Sequence, residues 1–167
     1  LHDLWPAVRL SVGIALLSTA VSLVMGTCVA IALTRASFPG KTTLLTFIVS
    51  PLMMPGLVVG VALLSLLREL GLRDAYVSLL IGHVVITLPY VTRTVLASLS
   101  LFDFTLIDAA RTLGCSPPRA LLKVMVPVLA PAFLTSGLFA FLASMDNYPI
   151  SIFLVAVVAG VSLLYWL

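Results

Sequence analysis

Ile107-Asp108-Ala109-Ala110-Arg111-Thr112-Leu113-Gly114-Cys115-Ser116-Pro117-Pro118-Arg119-Ala120-Leu121-Leu122-Lys123-Val124-Met125-Val126-Pro127 is the one long stretch of mixed polarity in a chain built mostly of apolar runs. Its local chemistry predicts two short helices joined by a hinge. Thr105-x-x-Asp108 has the form of a capping box, Gly114 suits a left-handed helix stop, and Ser116 followed by Pro117 restarts a helix. On the first arm Phe102, Leu106, Ala109, Ala110 and Leu113 fall on one face at three- and four-residue spacing, with Asp103, Arg111 and Thr112 largely elsewhere. An amphipathic elbow of this kind, set between apolar runs, needs something to dock against.

The elbow resembles the signature of the membrane-spanning permease subunits of type I ABC importers: E-A-A, three residues, G, nine residues, then I-x-L-P. Asp108-Ala109-Ala110, Gly114, Val124 and Val126-Pro127 match it in position, with Asp in place of the first Glu. The resemblance runs from about residue 10 to residue 154. It implies that Asp108 to Lys123 is a cytoplasmic coupling element seated in a cleft of an ATPase subunit. The coupling residues it implies are Asp108, Ala109, Ala110, Gly114, Leu121, Lys123 and Pro127. Leu121 stands where the family usually carries an aromatic knob, and Pro118 where a bulky residue is common. The implied partners are two ATP-binding subunits, a second permease subunit of the same or a related kind, and an extracytoplasmic solute-binding protein. ATP is expected on the partners, because no glycine-rich phosphate loop with its lysine occurs here. Such permeases usually carry one more helix ahead of the first run in this sequence. The chain is accordingly expected to be a single transmembrane domain over residues 1–167 without that helix, with its elbow over 101–127.

Composition points to the same solvent. Apolar residues make up 62% and charged residues 9%, and mean hydropathy is +1.26, against roughly half and a quarter in an average soluble domain. The expectation is an all-α polytopic bundle in a lipid bilayer, and the resemblance implies the bacterial inner membrane. The net charge of +3 comes from nine Lys and Arg scattered at helix ends, which sets membrane orientation and offers no stripe for nucleic acid. Cys28 and Cys115 make no disulfide framework and read as small buried or cytoplasmic thiols.

Leu10 to Leu33, bounded by Arg9 and Arg35, is long enough to cross a hydrocarbon core of about 30 Å. Gly13, Gly26, Ser18, Ser22 and Thr27 supply small surfaces for close packing. After a basic turn at Pro39-Gly40, Leu44 to Leu67 reads as a second span, kinked or unwound by Pro51 and Pro55-Gly56. That break either lines a pathway or serves packing. Arg68 to Asp74 reads as a solvated loop. Ala75 to Leu99 is a third span containing His83, Pro89 and Arg93. His83 is expected to bond a neighbouring helix, and Arg93 to snorkel toward the cytoplasmic interface. A helix over residues 124–167 would be about 65 Å long, so it must break. Asp146-Asn147-Tyr148-Pro149 divides it into a fourth span, Val124 to Met145, and a fifth, Ile150 to Leu167, anchored by Tyr165 and Trp166. About five spans result.

Orientation follows from the loops. Arg35, Lys41, Arg93, Arg111, Arg119 and Lys123 lie on one side and Arg9, Arg68 and Arg73 on the other, which puts the elbow inside. The residues over 144–154 look like the S-F-D-N-x-P-V-S-x-F-L segment of polyamine-type permeases. That subgroup resemblance, with an Asp at the mouth of an uncharged span, implies a small cationic solute and a pathway at Asp146, Asn147 and Pro55. Asp146 and Asn147 also fit a bare helix break. Two other classes compete with the transport reading: an intramembrane enzyme using His83 and Asp146 as acid and base, and a passive assembly subunit. No nucleophile motif or metal-binding helix accompanies the first, and neither a catalytic nor a metal site is expected.

Overall fold

A computed structural model describes residues 4–72 and 74–156. Among these residues every regular element is helical. Helix α1, Leu4–Arg35, is an uninterrupted apolar rod that ends before the glycine turn at Gly40, where φ is 93°. Helix α2, Lys41–Val49, runs into a 3-10 turn, Ser50–Met53, and helix α3 follows over Gly56–Glu69.

The break between α2 and α3 is sharper than a kink. The two halves meet at 114°, so the expected single second span is a bent pair, neither half of which crosses a bilayer alone. Pro51 tightens the turn, and Pro55, at φ −56° and ψ 132°, takes the chain out of helix before Gly56. Each proline removes a backbone donor, and Pro55 disfavours helix at Met54, which is extended at φ −99° and ψ 141°, so the break falls here.

The loop read as merely solvated is a built helix stop. Gly71 has φ 75°; its amide donates to Arg68 O (3.0 Å), and that of Leu72 to Leu67 O (2.9 Å). These paired bonds satisfy the last carbonyls of α3, and Leu67 and Leu72 pack in one cluster. Asp74 then caps helix α4, Ala75–Ser100, accepting the Val77 amide at 2.8 Å.

Helix α5 is Thr105–Thr112 and α6 is Pro117–Ala120. A π turn over Leu121–Met125 joins α6 to α7, Val126–Met145, and the three form one apolar rod of 29 residues, Pro117–Met145. Val126 N–H donates to Leu121 O, the five-residue bond of a π turn. Pro127 has no amide of its own and crowds the preceding turn, so the helix widens just ahead of it. Helix α8, Tyr148–Ala156, is the start of the expected fifth span. The remainder of that span, with Tyr165 and Trp166, lies outside the described residues. Among the described residues three helices are long and apolar enough to cross a membrane, and the bent pair adds a fourth if its two halves form one broken span.

Helices α1, α4 and α7 pack on one another as the centre of the bundle, and α8 lies against α3 and α4. Small residues set the spacing, as expected where van der Waals fit replaces the hydrophobic effect. A Cβ built on Gly26 would stand 2.8 Å from Val91 Cγ1 and 3.2 Å from Thr92 N, so α1 and α4 touch there; Gly13 faces open space. Ser18 and Ser22 are buried. Cys28, read as a buried or cytoplasmic thiol, is exposed on α1.

Candidate coupling elbow and solute pathway

The elbow is held by a different first cap than its sequence suggests. Thr105 is the first residue of α5, the N-cap is Phe104, and no side chain caps it, so the Thr105-x-x-Asp108 box is not formed. Asp103 Oδ1 instead accepts the Thr105 amide at 2.9 Å. An aspartate two residues before a free amide competes directly with a threonine for the same job. Hydrogen bonds from Thr105 hold the exposed Asp103 carboxyl below its ordinary pKa. Asp108 and Arg111 form an exposed pair at 3.6 Å, the kind worth little in water.

At the hinge the sequence reading holds. Gly114 has φ 89°; its amide donates to Arg111 O and that of Cys115 to Ala110 O, both at 3.0 Å. Ala110 and Cys115, the residues flanking this closure, pack on the same core.

The face of α5 that packs on the bundle differs in part from the apolar face read from the sequence. Ile107 is 2% exposed and Phe102 8%, with Phe104 and Ala110 packed beside them. Of the apolar face read from the sequence as needing something to dock against, Leu106, Ala109 and Leu113 are exposed, Leu113 at 86%. Two apolar series run along this helix, and Phe104, Ile107 and Ala110 won because Phe102 stacks edge-on against Phe104 at 5.1 Å while Arg35 at the end of α1 lies 5.2 Å over the same ring. That contact also puts the end of α1 and the elbow on one side, as the charge count requires. On the second arm Leu121 is half-buried against the chain's own core, and its neighbour Leu122 is 66% exposed. Lys123 and Pro127 are exposed. Asp108, Arg111, Thr112, Cys115 and Pro117 line an open concavity of about 480 Å³ between the arms. The elbow therefore presents polar and apolar groups outward while its inner face is fixed to the bundle.

At the other end of α7, Asp146 is the exposed C-cap residue, its amide bonded to Leu142 O at 2.9 Å. Asn147 follows, with its side-chain Oδ1 buried and without a donor. That oxygen would lie 3.6 Å from a Cβ on Gly56. The fold thus joins the Asp146-Asn147 break to the Pro55-Gly56 break, two helix breaks about ninety residues apart in the chain. Pro55 itself is exposed. Arg93 is exposed too, and lines a groove of about 480 Å³ with Thr46, Ser50, Met53 and Met54 beside the bend.

His83 is a cross-helix tie. Its Nδ1 meets Ser144 Oγ of α7 at 2.7 Å and its Nε2 meets Ser151 Oγ of α8 at 3.1 Å. Ser144 Oγ is 3.3 Å from Ser18 Oγ of α1, and Ser22 Oγ lies 2.7 Å from Thr87 Oγ1. Hydroxyls and the imidazole satisfy one another across four helices, which is how polar groups are accommodated inside a membrane bundle. Neither ring nitrogen is bonded to Asp146.

The family model for the binding-protein-dependent transport system inner membrane component matches residues 10–165. The chain belongs to this family. It is a multi-pass inner-membrane protein of a transport family, so the reading as an intramembrane enzyme falls. The spermidine/putrescine transport system permease protein PotC of Haemophilus influenzae is 36% identical over 152 residues, 91% of this chain and 58% of the relative. The trehalose transport system permease protein SugB of Mycobacterium tuberculosis is 29% identical, covering 91% of this chain and 56% of SugB. The putrescine transport system permease protein PotI of Escherichia coli is 29% identical over 88% of this chain and 55% of PotI. The chain spans a little over half the length of these relatives.

Proposed function

We propose that this chain acts as a permease subunit of a binding-protein-dependent ABC importer, forming part of the solute pathway and coupling it to ATP hydrolysis by partner subunits. The observation that carries this reading is the single rod Pro117–Met145. Its cytoplasmic end is the second arm of the elbow, its far end is Asp146, and at about 1.5 Å per residue it is roughly 43 Å long. A helix this long, seated on a rigid elbow, carries a displacement at the elbow to the mouth of the pathway.

In this reading the outward groups of Asp108 to Lys123 meet an ATP-binding subunit, two such subunits serve the complex, and nucleotide binds only there. A second permease subunit and an extracytoplasmic solute-binding protein complete the assembly. The proposed solute is a polyamine or a similar small cation. The names of PotC and PotI favour it over a sugar such as that of SugB, and an exposed carboxylate at Asp146 raises the local concentration of cations. Asp146, Asn147 and the bend at Pro55 are the proposed pathway residues.

The test is uptake of labelled putrescine into vesicles containing the whole complex, with Asp146→Asn beside the wild type. At least tenfold lower uptake at unchanged complex assembly is expected. Equal uptake in the variant, or uptake of trehalose alone, would overturn the cationic assignment.

A further inference from the structure

Asn147 stands immediately before α8 but does not cap it: its Oδ1 is buried and receives no donor. Across the junction, α3 starts without a cap. Pro55 occupies the N-cap position and no side chain serves it. The first backbone bonds of α3 are those of Val58 and Val59, both donating to Pro55 O, at 2.9 and 3.2 Å. The amides of Gly56 and Leu57 therefore find no acceptor among the described residues. An acceptor without donors thus sits beside donors without an acceptor. Gly56 leaves the approach open, since even a Cβ there would stand 3.6 Å from Oδ1.

We infer that the Asn147 side-chain carbonyl is the N-cap of α3, supplied from the α7–α8 junction and engaged in one state of the transport cycle. The inference rests on the transport reading for its cycle but not for its chemistry. Asn147 is then a positioning residue: it ties the bent pair to the end of the long rod, and the tie opens and closes as α7 moves. The chemistry is specific. Asparagine is among the best N-cap acceptors. An aspartate keeps the acceptor and adds a charge that the start of a helix favours, while alanine removes it. Gly56 and Leu57 donate, and Oδ1 accepts.

The experiment is magic-angle-spinning NMR of the whole complex in lipid with 15N-glycine labelling, the Gly56 signal being assigned through Gly56→Ala. Spectra are taken without nucleotide and with an ATP analogue. Expected is a downfield Gly56 amide proton in one of the two states, lost in Asn147→Ala and kept in Asn147→Asp. An unchanged Gly56 amide in Asn147→Ala in both states would overturn the inference, as would a Gly56 signal equally lost in both variants. Because the amide shift reports on this chain alone, it separates the cap from the solute assignment: a shift that behaves as expected with no polyamine uptake leaves the cap standing and removes the substrate.

Discussion

Replacing Gly114 tests whether the elbow's hinge is set by backbone conformation alone. The residue has φ 89° and a Cβ built on it meets nothing within 4 Å, so a side chain there is strained but not crowded. For an L-residue the left-handed conformation costs roughly 1–2 kcal/mol, with asparagine less penalised than alanine and β-branched residues penalised most. That range shifts the population of the closed elbow by about 5- to 30-fold. The order of coupling, measured as solute molecules taken up per ATP hydrolysed in reconstituted vesicles, should therefore be glycine, then Gly114→Asn, then Gly114→Ala, then Gly114→Val. Membrane insertion should be unaffected throughout. The diagnostic pair is asparagine against alanine. If Gly114→Asn, the larger side chain, couples worse than Gly114→Ala, crowding by a partner sets the hinge and the conformational argument is refuted.

Leu122→Ala should weaken co-purification with the ATP-binding subunit by about 1–2 kcal/mol, two-thirds of the value of a fully desolvated leucine, since 66% of it remains to be covered. Leu121→Ala should lower the melting temperature of the isolated permease as well, because that side chain already packs on its own core; equal melting temperatures in the two variants would reverse the assignment. Gly26→Leu should destabilise the permease in detergent by about 1–3 kcal/mol through overpacking against Val91, whereas Gly13→Ala should be neutral by the same melting assay. The cap at Asp103 carries a pH signature: its carboxyl is held low, so its contribution is complete above the ordinary aspartate pKa and is lost as pH falls through the lowered value. Acid titration of Asp103 by NMR should place its midpoint below that of a model peptide.

Punctuating residues were readable because one residue type has one conformational job. Gly114 stops α5 as its sequence context requires, and Pro51 and Pro55 mark the break in the second apolar run. What proline does not encode is direction: α2 and α3 meet at 114°, and α3 packs against α8, distant in sequence, in the cluster that holds Ile150 and Leu154. The packed face of α5 was equally hidden. Leu106-Ala109-Leu113 and Phe104-Ile107-Ala110 are both apolar at helical spacing, and the packed series is the one whose Phe104 meets Phe102 and Arg35, the latter some seventy residues away in the chain. Thr105-x-x-Asp108 and Asp103-x-Thr105 overlap, so the rule for caps fitted two answers. His83 was rightly assigned to a neighbouring helix, but its partners Ser144 and Ser151 lie 61 and 68 positions on, beyond any local pattern.

The π turn at Leu121–Met125 has a consequence for the angular phase of the molecule. A π turn holds one residue more than the α-turn it replaces, and each residue of an α-helix advances the azimuth by about 100°. The direction in which Leu122 leaves the elbow and the direction in which Asp146 leaves the far end are therefore locked to each other by this one surplus residue. Removing it would swing everything from Val126 to Asp146 through roughly a quarter turn relative to the elbow. Length along the rod can vary in such a part with little harm; phase cannot. A homologous permease that lacks the surplus residue would have to carry its outer carboxylate at a neighbouring position to point it the same way.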